Sequence, residues 1–391
     1  MKVLILTSAT GSGHNMRANA LSVWAQHEKS GDWDVSIHSP LETAHRLYQV
    51  GVETYNVIQR NAPWAHHLYF NYLELASMHR NPDRILGAEN FIRKVQIEHP
   101  DLILSVHGHT NHGFFGLARR SLPQAPPVCV TYCGEIYGGY GLSKHWVNPN
   151  ADHFIGAVPE ICESAIRDHG MPREKTHCGG FLLRPPFYET PLTESEQRQF
   201  ILDELKLDPD HFTLLLSTGD AGANNHIKFL NALEKAHLPI QVIALCGRNQ
   251  TTFNEVTSWS VGAHERRISV TPLGYRDDMH RLMQSVSAIV ARPGTGATSE
   301  SIMARCPIIH NGMGGVMPQE WITVKFCRSH GMNHSIKTPL GLVKKVQHFL
   351  KHPEELQAIK KKMAEVTPAS TVPELMNYLE SLTKKKARSI E

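Results

Sequence analysis

Three glycine-rich turns carry the side chains best suited to chemistry. The first, Thr10-Gly11-Ser12-Gly13-His14, follows the apolar run KVLILT. Its glycines allow a tight turn and close approach of a substrate, but their spacing is not the dinucleotide pattern GxGxxG. His14 falls near the start of the helix that must follow, where the positive end of the dipole disfavours an imidazolium. A neutral imidazole there can take a proton from a hydroxyl as a general base; a histidine that merely caps the helix is the alternative.

The second turn, Ser217-Thr218-Gly219-Asp220-Ala221-Gly222-Ala223-Asn224, follows the apolar run FTLLLS. Backbone N–H groups at Gly219, Asp220 and Gly222, before a helix, suit a diphosphate. The turn lacks the Gly-Lys-Ser/Thr ending of a P-loop, which argues against ATP hydrolysis. The third turn runs Arg292-Pro293-Gly294-Thr295-Gly296-Ala297-Thr298-Ser299-Glu300, with Pro307 and Pro318-Gln319-Glu320-Trp321 beyond it. A strand, a turn and a helix put the Glu300 carboxylate beside the loop, where it can accept hydrogen bonds from two vicinal ribose hydroxyls. Gln319 and Glu320 add hydrogen-bonding groups for a polyhydroxylated sugar.

These turns need strands behind them. KVLILT, VSIHS, DLILSV, PVCVTY and HFIGAV read as buried strands in the first half, and FTLLLST, IQVIALC, RISVTP, SAIVAR and PIIHN in the second. Segments of helical period, such as 19–29 and 227–236, lie between them. Apolar strands alternating with helices predict parallel sheets covered on both faces. The proline-rich stretch Arg184–Leu192 interrupts the alternation, and Thr193 with Glu196 forms a capping box that restarts it. The boundary is therefore set at 187: a domain 1–187, with an aromatic-rich and mainly helical insertion at 41–99, and a domain 188–391 with a helical tail. Prolines at 339, 353 and 373 begin late helices. The aromatic residues of the insertion are read first as packing, with a lipid-facing surface as the alternative.

A chain of 391 residues has room for two domains. The formal charge of +3 is too small to make nucleic acid the expected partner. Basic residues do gather at Lys360–Lys362 and Lys384–Arg388, and the second group suits anionic headgroups at about 1 kcal/mol per residue. Seven cysteines without a CxxC pair predict free thiols in a reducing compartment. The first apolar run is short for a signal peptide and no stretch approaches the ~20 apolar residues of a span, so a cytoplasmic chain with peripheral membrane contact is expected. His107-Gly108-His109 with His112 lacks an acidic or cysteine partner at a set spacing, and no metal is expected there. Asn249-Gln250-Thr251 matches a glycosylation sequon by letter only.

In order along the chain, several motifs carry a resemblance. They are Gly-Ser-Gly-His14; Pro100-Asp101-Leu102-Ile103 with Ser105-Val106-His107; His145-Trp146 with Asp152; and Gly180 to Phe187 with Arg184. Then come Cys246-Gly247-Arg248-Asn249, Gly274-Tyr275, Arg292–Glu300 and Pro318-Gln319-Glu320. On these the chain resembles the GT-B glycosyltransferases of the monogalactosyldiacylglycerol synthase and processive diacylglycerol glucosyltransferase family. More distantly it is similar to the peptidoglycan N-acetylglucosaminyltransferase that makes lipid II, of glycosyltransferase family 28. The resemblance implies an α/β chain of GT-B type, two Rossmann-like domains whose parallel sheets face each other across a cleft.

It also implies a donor site in the second domain and an acceptor site in the first. Glu300 would hold the ribose and Gly219, Asp220 and Gly222 the diphosphate. Arg184, Arg248 and Arg292 would supply positive charge, with the loop Gly294, Thr295 and Gly296 close by. Tyr275 would meet the uracil, and Gln319 and Glu320 the sugar. His14 would act at the anomeric carbon, with Gly11, Gly13, His107 and Glu135 on the acceptor side. The chain departs from the family in aligning Arg292-Pro293-Gly294-Thr295-Gly296-Ala297 with Lys-Ala-Gly-Pro-Gly-Thr. It has Cys133-Gly134-Glu135 where an aspartate is common, and two extra residues between Pro307 and Gln319.

The expected function is inverting transfer of a hexose from a UDP-sugar to a lipid hydroxyl, diacylglycerol first, at the inner face of the cell membrane and without a cofactor. The alternatives are another acceptor (a polyprenyl-linked sugar, a sterol-like lipid or a small metabolite), a UDP-sugar 2-epimerase, and a nucleotide-sugar-binding sensor. Neither the sugar nor the oligomeric state follows from the sequence.

Overall fold

The computed structural model describes the chain except residues 12, 77–78, 218–224, 262–266 and 391, and the side chains of 387–390. The expected diphosphate contacts at Gly219, Asp220 and Gly222 therefore lie outside the described residues.

Two six-stranded sheets, each wholly parallel, hold the molecule together. The first comprises β1 (Lys2–Leu6), β2 (Asp34–His38), β3 (Leu102–Ser105), β4 (Val128–Cys133), β5 (His153–Gly156) and β6 (Thr176–Cys178), in the order β2-β1-β3-β4-β5-β6. The second comprises β7 (Phe212–Ser217), β8 (Ile240–Leu245), β9 (Ser269–Leu273), β10 (Ala288–Ala291), β11 (Ile308–Asn311) and β12 (Ser335–Ile336), in the order β12-β11-β10-β7-β8-β9. Every residue of β3, β4, β10 and β11 is buried, which the continuous apolar runs require once helices cover both faces. The fold is α/β of the expected class. Two strands escaped the sequence reading: β6 and β12 have three and two residues, too short for an apolar run. Each pairs as the last strand at one end of its sheet.

In each sheet, strand order reverses at one point, between β1 and β3 and between β7 and β10. Ligands of open parallel sheets bind beyond the carboxyl ends of strands at such a point. The described residues following β1, β3 and β10 include Thr10, Gly11 and His14, Val106–His109 and Arg292–Gly294, while residues 218–224, after Ser217 at the end of β7, lie outside the described residues. The topology thus gathers, at two places, the turns that the sequence scatters over nearly 300 residues.

One continuous buried core runs from the first sheet into the second through Phe181, Leu182, Leu183 and Phe187. Trp24 on the helix Gly13–Glu28 donates its indole N–H to Leu183 O at 2.8 Å and anchors this connection. Thr193 and Glu196 form the capping box of the helix Glu194–Gln199. The final helix, Val372–Ile390, follows the second sheet in sequence yet lies against the first. Tyr378 stacks on His177 at 3.9 Å between ring centroids, and Lys29 donates to Asn377 Oδ1 at 2.8 Å. Residues 41–99 hold the helices Arg46–Asn61, His66–Ala76 and Ala88–Glu98. Among the described residues, no helix is long and apolar enough to cross a membrane.

Candidate active site

His14 sits in the first turns of the helix Gly13–Glu28 and donates Nδ1–H to Val106 O at 3.0 Å. A carbonyl can only accept, so the ring proton is on Nδ1 and Nε2 keeps its lone pair. Burial, and then the Arg17 guanidinium, hold the imidazole pKa down to about 3 against the opposing Val106 bond, so the ring is neutral at physiological pH. His107, by contrast, is used up: its Nδ1 accepts from His109 N–H at 3.2 Å and its Nε2 meets Thr10 Oγ1 at 2.8 Å. It packs edge-on against His14 with ring centroids 4.5 Å apart.

His14, Thr10, His107, Glu135 and Gln319 open onto a pocket of about 320 Å³. The rest of its wall is largely apolar and aromatic, chiefly Tyr48, Tyr55, Tyr69, Phe70 and Trp146, with Thr54, Glu74, His79, His109 and Ser143 among its polar members. Most of that wall comes from the helices Arg46–Asn61 and His66–Ala76. The same helices and the turn between them leave Trp64 65%, Leu68 73% and Leu75 82% exposed, an apolar surface next to the pocket. Glu135 is buried, its Oε2 has no partner among the described residues, and burial lifts its pKa to about 7 against the pull of Arg17.

A second cavity, of about 240 Å³, lies between the sheets. Gly13, Arg184, Tyr275, Gly296 and Glu300 line it together. Burial raises the Glu300 carboxyl to about 7, opposed by Arg184. Arg184 donates to Asp277 O at 3.1 Å and so holds the turn that carries Tyr275, and the Arg248 guanidinium lies 4.2 Å over the Tyr275 ring. Thr295 and Gly296 open the helix Thr295–Met303 with Gly294 as its N-cap, so the positive helix end faces this cleft. Gly13 borders the cleft and the adjoining His14 borders the pocket, so a single peptide unit separates the two cavities.

Other expected residues stand differently. Arg292 donates Nε–H to Glu320 Oε1 at 2.9 Å, and its Nη2 pairs with Glu320 Oε2; the guanidinium also reaches Met313 O and Gly315 O. Glu320 further accepts from Met317 N–H at 2.9 Å. Both charges are spent on each other and on shaping the 312–317 loop. Gly11 borders neither cavity; its N–H donates to Asn56 Oδ1 at 3.1 Å on the insertion. His107, His109, His112, His79 and His145 pack ring against ring, and no group of three metal-ligating side chains converges among the described residues.

Sequence reasoning missed Arg17. Buried to 6% exposure, it donates from Nη2 to Gly134 O at 2.9 Å and to Thr295 Oγ1 at 2.7 Å, so it ties the two sheets together at the cleft. A Cβ on Gly134 would lie 2.1 Å from Arg17 Nε, which is why the 133–135 turn carries glycine. The available signal was helical spacing, since Arg17 stands three residues beyond His14. In the sequence, Tyr55 is only one of the many aromatic residues of the insertion, and Val106 only part of a motif.

No protein-family profile matches the chain. MurG of Acinetobacter baumannii superposes over 98% of this chain and 99% of its own, with a TM-score of 0.60 at 14% identity. HepE of Anabaena, solved in complex with UDP and glucose, superposes over 100% and 99% with a TM-score of 0.52 at 13% identity. Two parallel sheets facing across a cleft are the GT-B architecture, and the chain is a glycosyltransferase of that class. In sequence it resembles monogalactosyldiacylglycerol synthase 3, chloroplastic, of Arabidopsis thaliana. The two are 24% identical over 417 residues, 99% of this chain and 82% of the relative.

Proposed function

We propose that the chain transfers a hexose from a UDP-sugar to the hydroxyl of a lipid, diacylglycerol being the first candidate, with inversion at the anomeric carbon. The observation that carries this reading is the adjacency of Gly13 and His14. A neutral base with a free Nε2 faces an apolar pocket, and one residue away the chain borders a cleft holding a carboxylate and arginines. The apolar wall and the exposed apolar surface beside it support a lipid acceptor at a membrane surface. The galactolipid synthase resemblance and the UDP held by HepE support the donor.

In this reading, Glu300 accepts from the ribose hydroxyls and Tyr275 with Arg248 meets the base. The start of the helix Thr295–Met303, with Arg184 and Arg17, neutralises the diphosphate. As the acceptor oxygen bonds to the anomeric carbon, its proton passes to His14 Nε2 and the bond to UDP breaks. The bound diphosphate raises the proton affinity of the nearby imidazole, offsetting the low value set by burial. No step requires a metal or cofactor, because protein charges take the charge that develops on the leaving group.

The test is UDP release from a panel of UDP-sugars with and without detergent-dispersed diacylglycerol, followed by mass spectrometry of the lipid phase. Lipid-dependent release with a matching glycolipid mass is the expected result and names the sugar. Donor binding without lipid-dependent release sinks the diacylglycerol assignment, and failure to bind any UDP-sugar sinks the donor.

A further inference from the structure

Residues of the insertion dock directly on the loop that precedes Gln319. His67 donates Nε2–H to Val316 O at 2.9 Å, leaving its Nδ1 to accept from Tyr140 O–H at 3.0 Å. Gly314 and Gly315 take φ of 78° and 104°, and a Cβ on Gly315 would lie 3.1 Å from the Trp64 backbone nitrogen. The loop is thus a seat for residues 63–67 of the insertion. Its other side is held by Arg292, which donates to Met313 O and Gly315 O and pairs with Glu320.

Gln319 emerges from this loop into the pocket and meets a second residue of the insertion. Its Nε2 donates to Tyr55 Oη at 2.6 Å, with Met317 Sδ a weaker acceptor at 3.7 Å on the same nitrogen. A thioether can only accept, so Met317 Sδ sets the NH2 end of the amide on this side, with Tyr55 Oη as its second acceptor. Gln319 Oε1 is then buried without a partner among the described residues, in a side chain that borders the cavity. A buried acceptor without a donor is costly, and a ligand hydroxyl is the group that can supply one. The Tyr55 ring is itself set by an edge-on contact with His66 at 4.4 Å, so its hydroxyl is a fixed reference on the acceptor side of the cleft.

We propose that Tyr55 is a positioning residue for donor-sugar recognition: by holding Gln319 Nε2 it presents Oε1 as an obligate acceptor, so that the acceptor-side insertion sets which hexose hydroxyl the enzyme reads. This rests on the UDP-hexose reading above. Without the Tyr55 hydroxyl the amide turns freely and offers either end to the sugar, which weakens binding and blurs discrimination between epimers that differ in one hydroxyl.

The test measures binding of UDP, UDP-glucose and UDP-galactose by calorimetry to the full chain and to Tyr55→Phe, Gln319→Ala and the double variant. Phenylalanine keeps the ring against His66. The expected result is unchanged UDP affinity in Y55F, affinity for the preferred UDP-hexose lowered roughly 3- to 10-fold, and a smaller gap between the two hexoses. In the Gln319→Ala background the Tyr55 change should have no further effect, because it acts through that amide. Equal weakening of UDP and UDP-hexose, additive effects of the two substitutions, or an unchanged hexose affinity would each overturn the proposal. If the unmodified chain binds neither UDP nor either UDP-hexose, the donor reading itself fails and takes this one with it, before any variant is compared. UDP-hexose binding by the unmodified chain with no effect of Y55F removes Tyr55 alone.

Discussion

His14 gives its Nδ1 proton to the carbonyl oxygen of Val106, 3.0 Å away at the end of the neighbouring strand, and is thereby committed to one tautomer. A backbone acceptor cannot be titrated, so Nε2 is left as the proton acceptor throughout the working pH range.

Replacing His14 with alanine removes that acceptor and little else at the cleft. Turnover should fall roughly 100- to 10,000-fold, with UDP affinity nearly unchanged, as steady-state kinetics paired with calorimetry would show. Wild-type-like turnover would remove His14 from the mechanism.

Glu300 predicts a pH dependence. Its carboxyl is raised from an ordinary 4.5 to about 7 by burial, so the charged form that accepts two ribose hydroxyls is recovered only as pH rises through about 7. Nucleotide affinity should therefore weaken below pH 7, and Glu300→Gln should flatten that dependence at lower overall affinity. The same raised pKa makes the folded chain hold a proton that the unfolded chain has already lost. Its contribution to stability is thus greatest below 4.5 and declines between 4.5 and 7. Glu135, also raised to about 7, is the control: Glu135→Gln should leave the acid weakening of UDP binding in place.

Gly134→Ala tests Arg17 without touching it. The added methyl must displace the guanidinium, whose Nε would be 2.1 Å away, and so break its bonds to Gly134 O and Thr295 Oγ1. UDP affinity should drop roughly tenfold or more. A thermal melt should show that the fold survives, because a flexible side chain yields before the backbone does.

The Arg292–Glu320 pair predicts a stability effect. Glu320 is 4% and Arg292 15% exposed at the side chain, so Glu320→Ala leaves a poorly hydrated guanidinium unpaired. The cost should be about 3–5 kcal/mol, read from urea unfolding. Removing both charges with Arg292→Met and Glu320→Met should recover much of it. An unchanged midpoint in the single variant would mean that solvent reaches the pair.

Much of this molecule is legible one residue at a time. Most of the ten longer strands appear as apolar runs because a strand buried on both faces has no polar positions to alternate with; β2 and β9, which bury no residue fully, are the exceptions. The helix starts at Thr193 and at the late prolines appear because caps and prolines act within a single turn. The turns bearing His14, Arg292 and Glu300 appear because glycine is needed where a chain leaves a strand and turns sharply into a helix. Each of these signals is local, and local free energies of backbone conformation and side-chain burial are written in short windows of sequence.

The remainder depends on contacts between distant segments. Nothing in the sequence marks Arg292 and Glu320 as partners, and only the placement of β10 beside β11 brings them together as an ion pair. Arg17 has no motif around it; its worth comes from Gly134, 117 residues away, and Thr295, 278 residues away. Tyr55 and Gln319 lie 264 residues apart, and the final helix returns to a sheet that the chain left long before it. Sequence determined the two sheets, their turns and the type of chemistry, because strands, caps and glycine turns are set by neighbours along the chain. Tertiary structure decided which polar groups remain free to meet a ligand, because a hydrogen bond or ion pair is satisfied by whatever side chain the fold brings within 3 Å, whatever its distance in sequence.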